Sequence, residues 1–156
     1  MRGKRATKRN IKPDTNYGSV EIAKFINYVM KSGKKQISEN IVYGAFDIIK
    51  EKTKKNPLDI FDLAIKNVTP QVEVRSKRIG GGNYQVPIEV NSSRRQALTF
   101  RWILNAANSK TGSDMKTRLA SELMLASTGQ GDAMRKKEDV YKQAQANRAF
   151  AHFARF

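Results

Sequence analysis

Residues 68–90 decide the fold of this chain, and they read VTPQVEVRSKRIGGGNYQVPIEV. Within this stretch the spacing of apolar residues changes from the 3.6-residue period of a helix to the two-residue period of a strand. The alternation runs through Val72 and Val74, stops at the turn-forming Gly80-Gly81-Gly82-Asn83 segment, and resumes from Tyr84 to Val90. Pro87 lacks the backbone donor that a third strand would need. Residues 71–91 are therefore predicted to form a two-stranded antiparallel β-hairpin, an arm that is ordered by what it contacts.

Three helices are predicted before this hairpin, from apolar residues at helical spacing. The first follows a cap at Ser19 and ends at Gly33, and the second runs from about Lys35 to Lys52. The third has Asn56 as its cap and Pro57 at its first position, and it stops at Thr69-Pro70. The residues assigned to the three buried faces are Ile22, Phe25, Ile26, Val29 and Met30, then Ile37, Ile41, Ala45, Ile48 and Ile49, then Leu58, Phe61, Ile65 and Val68.

Further helices are predicted after the hairpin. One is capped by Ser92 or Ser93 and reaches Lys110, another starts at Ser113 or Asp114, and the last opens at Asp132. The predicted fold class is therefore mainly α: a single domain of five to six helices, with a projecting two-stranded antiparallel β-hairpin between the third and fourth helices. Its segments are a basic N-terminal arm (1–18), helices (19–70), the hairpin arm (71–91), helices (92–146) and a C-terminal tail (147–156).

The composition indicates a polyanionic partner. The chain has 156 residues, with 30 Lys and Arg against 14 Asp and Glu, so its net charge is +16. Lys and Arg stay charged at physiological pH and release counterions when they neutralise phosphates, which suits RNA or DNA. The absence of Cys excludes disulfide scaffolds and Cys-ligated metal sites, and no apolar run is long enough to span a bilayer. An apolar content of 39% is too high for a wholly disordered basic tail.

The first twelve residues, MRGKRATKRNIK, carry six cations and no acid. Such a segment cannot form a core and orders itself against phosphates, so we interpret it as a nucleic-acid-binding arm. A solvated tail and a basic transit peptide are the alternatives. Lys34 and Lys35, at the junction of two helices, are further candidates for phosphate contact, and Tyr84 is a candidate for base stacking because a projecting ribbon offers it no core.

No pattern in the sequence predicts catalysis, a cofactor or a metal site. The single histidine, His152, lies in an aromatic tail, where packing or RNA stacking is its expected role. Asp59 and Asp62 are explained by the favourable dipole at a helix N-terminus. The glycines at 80–82 join two strands and lack the following helix and Lys of a phosphate-binding loop. Trp102 is expected in the core, with base stacking as the alternative.

Several short motifs accompany residues 68–90: Pro13-Asp14, Tyr17-Gly18, Ala23-Lys24-Phe25, Gly33-Lys34-Lys35, Arg94-Arg95, Arg101-Trp102 and Ala146-Asn147-Arg148-Ala149-Phe150-Ala151-His152. Together they resemble the family of small-subunit ribosomal protein seven, in its bacterial or organellar type. The resemblance runs over essentially the whole chain, and its most specific part is residues 75–90. It departs at residues 91–93, where the family usually has an Arg-Pro pair, at Gly82-Asn83, and by one extra residue at the C-terminus.

The resemblance implies a structural constituent of the ribosome and no enzyme. It implies a primary binder of 16S rRNA that nucleates the small-subunit head, the 3′ major domain, and lies at the subunit interface near the decoding centre. The further partners that it implies are exit-site tRNA, mRNA and ribosomal proteins nine and eleven. The implied location is the small ribosomal subunit in the cytoplasm, with an organelle matrix as the alternative.

The resemblance also implies two groups of binding residues, and neither group is catalytic or metal-ligating. The residues expected to bind rRNA are Arg2, Lys4, Arg5, Lys8, Arg9, Lys12, Lys34, Lys35, Arg75, Arg94, Arg95, Arg101, Lys110, Lys116 and Arg118. The hairpin tip, expected near tRNA and mRNA, consists of Lys77, Arg78, Gly80, Gly81, Gly82, Asn83 and Tyr84.

The charge alone leaves two other classes of protein open. An architectural DNA-binding protein would wrap a duplex with the same β-arm. A nuclease or RNA-modifying enzyme would need an acid–base or metal constellation, which the sequence does not display. Competition between structured RNA and duplex DNA at matched salt distinguishes an RNA-binding protein from the architectural DNA-binding protein. Measurement of divalent-dependent RNA turnover detects the nuclease or RNA-modifying enzyme.

Overall fold

The computed structural model of the protein describes residues 3, 6–7 and 9–155. In this part of the chain the fold is mainly helical, with one antiparallel β-hairpin between the third and fourth helices, which confirms the predicted fold class. The elements are α1 (Val20–Val29), α2 (Lys35–Thr53), α3 (Pro57–Val68), β1 (Val72–Ile79), β2 (Gly82–Glu89), α4 (Ser92–Ser109), α5 (Met115–Ser127), α6 (Asp132–Ala146) and a C-terminal 3₁₀ helix (Arg148–Arg155).

The chain divides into two compact units, Met1–Asn40 and Ile41–Phe156. The boundary between the two units lies inside α2, so this helix contributes residues to each of them. The first unit contains α1 and the first turns of α2, and the second contains the hairpin and all the later helices. The organisation of the chain as a single domain stays a prediction.

In the first unit, α1 has the predicted start and the first part of the predicted apolar face, whereas Val29 and Met30 are only half-buried. Ser19 caps the helix, because its hydroxyl oxygen accepts hydrogen bonds from the backbone N–H groups of Glu21 at 3.2 Å and Ile22 at 3.4 Å. Ile22, Phe25 and Ile26 recur at helical spacing and are almost completely buried. The local pattern of apolar residues was therefore sufficient to identify both the helix and its buried side.

Two other predictions for the first unit are wrong. The helix α1 ends at Val29, because Met30 takes an extended conformation, and does not continue to Gly33. Gly33 adopts a φ of +72° in the turn before α2, so it marks the turn and not the last helical residue. Ile37, predicted on the buried face of α2, is 54% exposed. The buried apolar face of α2 is formed further along the helix by Val42, Ala45, Phe46 and Ile49.

The core of the second unit contains side chains from α2, α3, α4 and α5. The rings of Phe46 and Phe61 pack edge to face with their centroids 5.6 Å apart. The helix α3 begins as predicted, with Pro57 at its first position and the Asn56 side chain accepting a hydrogen bond from the N–H of Leu58 at 3.2 Å. Trp102 of α4 is 7% exposed, which confirms its predicted place in the core. Full burial of each such side chain contributes about 1.5–3 kcal/mol.

The β-hairpin has a shorter turn than predicted. Its register sets Ile79 opposite Gly82, so the turn contains only Gly80 and Gly81. Their φ angles are +56° and +88°, and a two-residue hairpin turn of type I′ requires positive φ at both positions. Residues with a Cβ adopt positive φ only at a steric cost, so glycine is favoured at both positions. Gly82 and Asn83 therefore belong to β2, and the prediction of a turn over residues 80–83 is corrected.

The cap of α4 also differs from the prediction. The helix begins at Ser92, and its cap is Asn91, one residue before the first of the two serines considered. The Asn91 side-chain oxygen accepts hydrogen bonds from the backbone N–H of Arg94 at 3.0 Å and from the hydroxyl of Ser93 at 3.2 Å. Asn and Ser are both good caps, so composition alone could not choose between adjacent residues.

Two glycines separate α5 from α6. Gly129 follows α5 with a φ of +77°, and its N–H and that of Gln130 donate to carbonyl groups in the last turn of the helix. This is the pattern of a Schellman motif, which glycine favours. Gly131, with a φ of +98°, precedes the start of α6 at Asp132, as predicted for that helix. After this turn α6 packs against α5 and α3, and the N–H of Ala133 in its first turn donates to Oε1 of Glu122 in α5 at 3.0 Å.

Candidate RNA interface

A buried carboxylate connects the base of the hairpin to the start of α4. Glu73 is 5% exposed and lies on the same face of β1 as Arg75, two residues away. Its Oε2 accepts a hydrogen bond from Nε of Arg94 at 3.1 Å. Its Oε1 forms an ion pair with Nη2 of Arg75 that does not have the geometry of a hydrogen bond. The two arginine side chains stay 53% and 38% exposed. We name these three residues the Glu73 cluster, and it places two of the predicted RNA-binding cations side by side.

Arg95, the other cation in the first turn of α4, is held by the backbone. Its Nε donates a hydrogen bond to the carbonyl oxygen of Val90 at 2.7 Å, directly after β2. A cation in the first turn of a helix interacts unfavourably with the helix dipole and costs about 0.3–1 kcal/mol of stability. An anionic ligand bound at the same place interacts favourably with both the dipole and the cation. The carboxylate of Glu73 and the carbonyl of Val90 offset part of this cost in the protein itself.

The exposed side of α4 extends the basic surface. Arg101, Asn105 and Asn108 are exposed and recur at intervals of four and three residues, so they share one side of the helix. With a rise of about 1.5 Å per residue, Arg101 lies about 10 Å along the helix axis from Arg94. Amide side chains hydrogen-bond phosphate and sugar oxygens. Asn108 was not among the predicted binding residues, although its helical spacing from Arg101 was a usable signal.

The junction of α4 and α5 contains three predicted RNA-binding cations, and each of them has a partner inside the protein. Nζ of Lys110 donates to Oε2 of Glu122 at 2.6 Å, and Glu122 is fully buried. The guanidinium of Arg118 donates to the backbone carbonyl of Lys110. Nζ of Lys116 lies 3.9 Å from Oδ2 of Asp114, and the Lys116 side chain stays 51% exposed. RNA binding by these residues stays a prediction, and Lys116 has the most accessible charge of the three.

The first unit presents its own exposed cations. Arg9, Lys12, Lys34 and Lys35 are all exposed. Lys35 lies 3.8 Å from Glu39 in the same helix, with 61% of the Lys side chain accessible. Exposed ion pairs of this kind contribute about 0.3–0.5 kcal/mol. This pair is therefore too weak to prevent Lys35 from binding a phosphate. The other predicted residues of the arm, Arg2, Lys4, Arg5 and Lys8, lie outside the described residues.

The hairpin tip has an accessible part and a covered part. Arg78, Gly80, Gly81 and Asn83 are exposed. Lys77 lies opposite Tyr84 in the hairpin register, and both face the C-terminal 3₁₀ helix. Nζ of Lys77 donates to the carbonyl oxygens of residues 153 and 154, at 3.2 Å each. The exposed residues are therefore the ones that a ligand reaches without displacing any other part of the chain.

Tyr84 packs inside an aromatic cluster of the chain's own C-terminal segment. Its ring centroid lies 5.3 Å from those of Phe150 and Phe153. His152 packs on Phe153 with the centroids 4.0 Å apart, in agreement with a packing role. The expectation that the arm offers Tyr84 no packing partner is therefore wrong, because residues far along the chain return to cover one side of the hairpin.

Within the described part of the chain, no helix combines the length and apolar character needed to cross a membrane. No three His, Cys, Asp or Glu residues among those described lie close enough together to hold a metal ion.

The fold and the site together define a class of protein: a basic, mainly helical chain that carries a β-hairpin arm and presents cations at the hairpin base, along α4 and at the hairpin tip. The family model for ribosomal protein S7p/S5e matches residues 1–148. The chain belongs to this family, which comprises ribosomal proteins and not enzymes. The resemblance described from the motifs is thereby confirmed.

Individual relatives match over nearly the whole chain. The small ribosomal subunit protein uS7 of Thermotoga neapolitana is 56% identical over 153 residues, which cover 98% of this chain and 99% of the relative. The protein of the same name from Thermotoga maritima has the same identity and coverage. That of Afipia carboxidovorans is 53% identical over 148 residues, or 95% of each chain.

Proposed function

We propose that this chain is a primary binder of 16S rRNA that nucleates assembly of the small-subunit head by organising the 3′ major domain. The observation that carries the proposal is the near-full-length similarity to proteins named small ribosomal subunit proteins. The net charge of +16 supports it, because a folded RNA is the polyanion that a ribosomal protein meets. In this proposal the protein is a structural constituent of cytoplasmic ribosomes and lies at the subunit interface, near the decoding centre.

The rRNA contacts are distributed over the surface of the protein. Guanidinium groups bind phosphates through two parallel hydrogen bonds, which suits Arg75 and Arg94 at the hairpin base and Arg101 on α4. Lys34 and Lys35 supply point charges in the first unit. Affinity comes from these phosphate contacts, and selectivity comes from the shape of a folded RNA junction that fits all of them together.

The hairpin tip has a separate role in this proposal. The exposed Arg78 and Asn83 lie opposite each other and are available to exit-site tRNA and mRNA. Lys77 and Tyr84 belong to the same predicted tip, and the C-terminal 3₁₀ helix covers them in this structure. Ribosomal proteins nine and eleven are the proposed protein neighbours.

Binding of the protein to fragments of 16S rRNA tests the main proposal. We expect tighter binding to the 3′ major domain than to a 5′ domain fragment or to duplex DNA at matched salt. Arg94→Ala combined with Arg95→Ala should weaken this binding and lower the salt slope by about one to two. Lys50→Ala with Lys52→Ala is the matched control, since it removes the same charge from exposed positions outside the site. Equal binding to RNA and DNA would favour the architectural DNA-binding alternative.

The role of the tip is tested at positions whose side chains are exposed in the hairpin. Arg78→Ala combined with Asn83→Ala should leave affinity for the 3′ major domain unchanged and weaken exit-site tRNA binding to reconstituted subunits. Deletion of residues 76–84 is less suitable, because it also removes the partners of the C-terminal 3₁₀ helix. Loss of rRNA binding in the double variant would contradict the division of roles between base and tip.

A further inference from the structure

The Glu73 cluster contains an acid where an RNA-binding surface would be expected to have none. Glu73 is almost completely buried between two arginines that are predicted to bind phosphate. Its negative charge reduces the local positive potential and so works against the attraction of RNA. Burial of a carboxylate is also unfavourable unless the group is paired. Charge attraction therefore does not explain why this position holds an acid, and the geometry of its two contacts does.

The two contacts reach Glu73 from different elements. Arg75 comes from β1, while Arg94 comes from the first turn of α4, 21 residues after Glu73 in the chain. The carboxylate separates two positive charges that would otherwise repel each other, and it restricts the rotamers of both long side chains. Each guanidinium has five N–H groups, so contact with one carboxylate oxygen leaves donors for a phosphate. Both side chains keep enough exposure to meet a ligand.

We infer that Glu73 is a positioning residue of the RNA interface, which fixes Arg75 and Arg94 as a pair whose remaining donors bind the backbone of a folded RNA. The inference rests on the proposed function and deepens it. A pair that is already ordered loses less side-chain entropy on binding than two free arginines, and it matches only phosphates at the corresponding spacing. Glu73 thus weakens the general electrostatic attraction for RNA and increases the selectivity for a folded RNA.

This role predicts the opposite sign from simple charge counting. Glu73→Gln raises the net charge by one, so charge counting predicts tighter binding to every RNA. The positioning role predicts about tenfold weaker binding to the 3′ major-domain fragment, which corresponds to the loss of about one charge-assisted hydrogen bond. It also predicts a salt slope smaller by about one, since one phosphate contact is lost. Binding to poly-uridylate, which has no fixed shape, should be unchanged or slightly tighter.

Glu89→Gln is the matched control. Glu89 lies in the other strand of the same hairpin, is exposed, and undergoes the same change of charge. It should bind the fragment and poly-uridylate at least as tightly as the wild type. The melting temperatures of both variants, measured by circular dichroism, report separately on any structural effect. A lower melting temperature for Glu73→Gln together with undiminished fragment binding would overturn the inference and leave Glu73 with a purely structural role.

Arg94→Lys gives a second test that retains every charge. Lysine keeps an ammonium group for Glu73 but lacks the planar fork of the guanidinium. Binding to the fragment should fall by a similar factor, while binding to poly-uridylate should persist. Unchanged affinity and salt slope for this variant would also overturn the inference. If the wild-type protein does not prefer the 3′ major domain, the proposed function itself is refuted. If the wild type has this preference and Glu73→Gln keeps it, only the inference about Glu73 is refuted.

Discussion

Replacement of Gly131 by alanine tests how closely the start of α6 fits against α5. The φ of +98° and ψ of +172° at Gly131 lie in a region that is essentially restricted to glycine. A Cβ at this position would lie 2.8 Å from Oε1 of Glu122 and 3.2 Å from Cβ of Leu125. Glu122 has no room to retreat, since it is fully buried and its Oε1 accepts a hydrogen bond from the N–H of Ala133 at 3.0 Å. Its other oxygen holds Lys110 at 2.6 Å.

The expected loss of stability has two parts. The backbone strain of a non-glycine residue in this region costs about 1–3 kcal/mol. Displacement of the Glu122 carboxylate weakens a buried, charge-assisted hydrogen bond at the start of α6, which costs about 1.5–3 kcal/mol more. We therefore expect Gly131→Ala to lower the free energy of unfolding by about 4 kcal/mol. A domain with a stability of about 5–15 kcal/mol remains folded but is substantially weakened.

Gly129→Ala is the control for this measurement. Gly129 has a φ of +77°, and a Cβ there meets no atom within 4 Å, so the substitution carries only the left-handed penalty of about 1–2 kcal/mol. Urea unfolding followed by circular dichroism measures both variants under identical conditions. Gly131→Ala should lose at least about 2 kcal/mol more than Gly129→Ala. Equal losses would refute the reasoning, because the close approach to Glu122 would then contribute nothing.

Three further predictions concern single side chains. Tyr84→Ala should free residues 148–155 from the hairpin and raise their amide hydrogen exchange, and unchanged exchange would contradict the aromatic packing described here. Burial lowers the pKa of Lys137 below its ordinary value of 10.5, so the folded state binds this proton less tightly than the unfolded state. The contribution of Lys137 to stability should therefore rise as pH rises from its lowered pKa to 10.5. The free energies of unfolding of the wild type and of Lys137→Met, measured across that pH window, check this. A difference between the two that does not change with pH would contradict it. Arg101→Ala should weaken binding to the 3′ major domain and lower the salt slope by about one without changing the melting temperature; a normal slope would exclude Arg101 from the interface.

Signals that are local in the chain predicted their elements well. The two-residue alternation around the glycines identified the hairpin, and Asn56-Pro57 identified the start of α3 to the residue. Such signals depend on backbone conformation, which neighbouring residues determine. The end of α1 was missed because Gly33 was a strong local signal for a turn, but the helix had already stopped at Met30.

Predictions that depended on the surroundings of a side chain were less successful. Helical spacing placed Ile37 on an apolar face, although only the neighbours of a helix decide which part of that face is covered. The fully buried Glu122 had no signal of its own in the sequence, since an acid on a helix normally faces solvent. Tyr84 appeared to lack a core because its partners, Phe150 and Phe153, lie more than sixty residues away in the chain.

The sequence by itself determined the polyanionic character of the partner, the helical fold with its β-hairpin, and the resemblance to a ribosomal family, because charge, periodicity and motifs are properties of the chain. Only the tertiary structure decided which cations are accessible to a ligand. Lys110 is paired with an acid 12 residues away, Arg94 with one 21 residues away, and Lys77 with carbonyls 76 and 77 residues away. Electrostatic and hydrogen-bond energies depend on distance in space, and folding alone brings these partners within reach of each other.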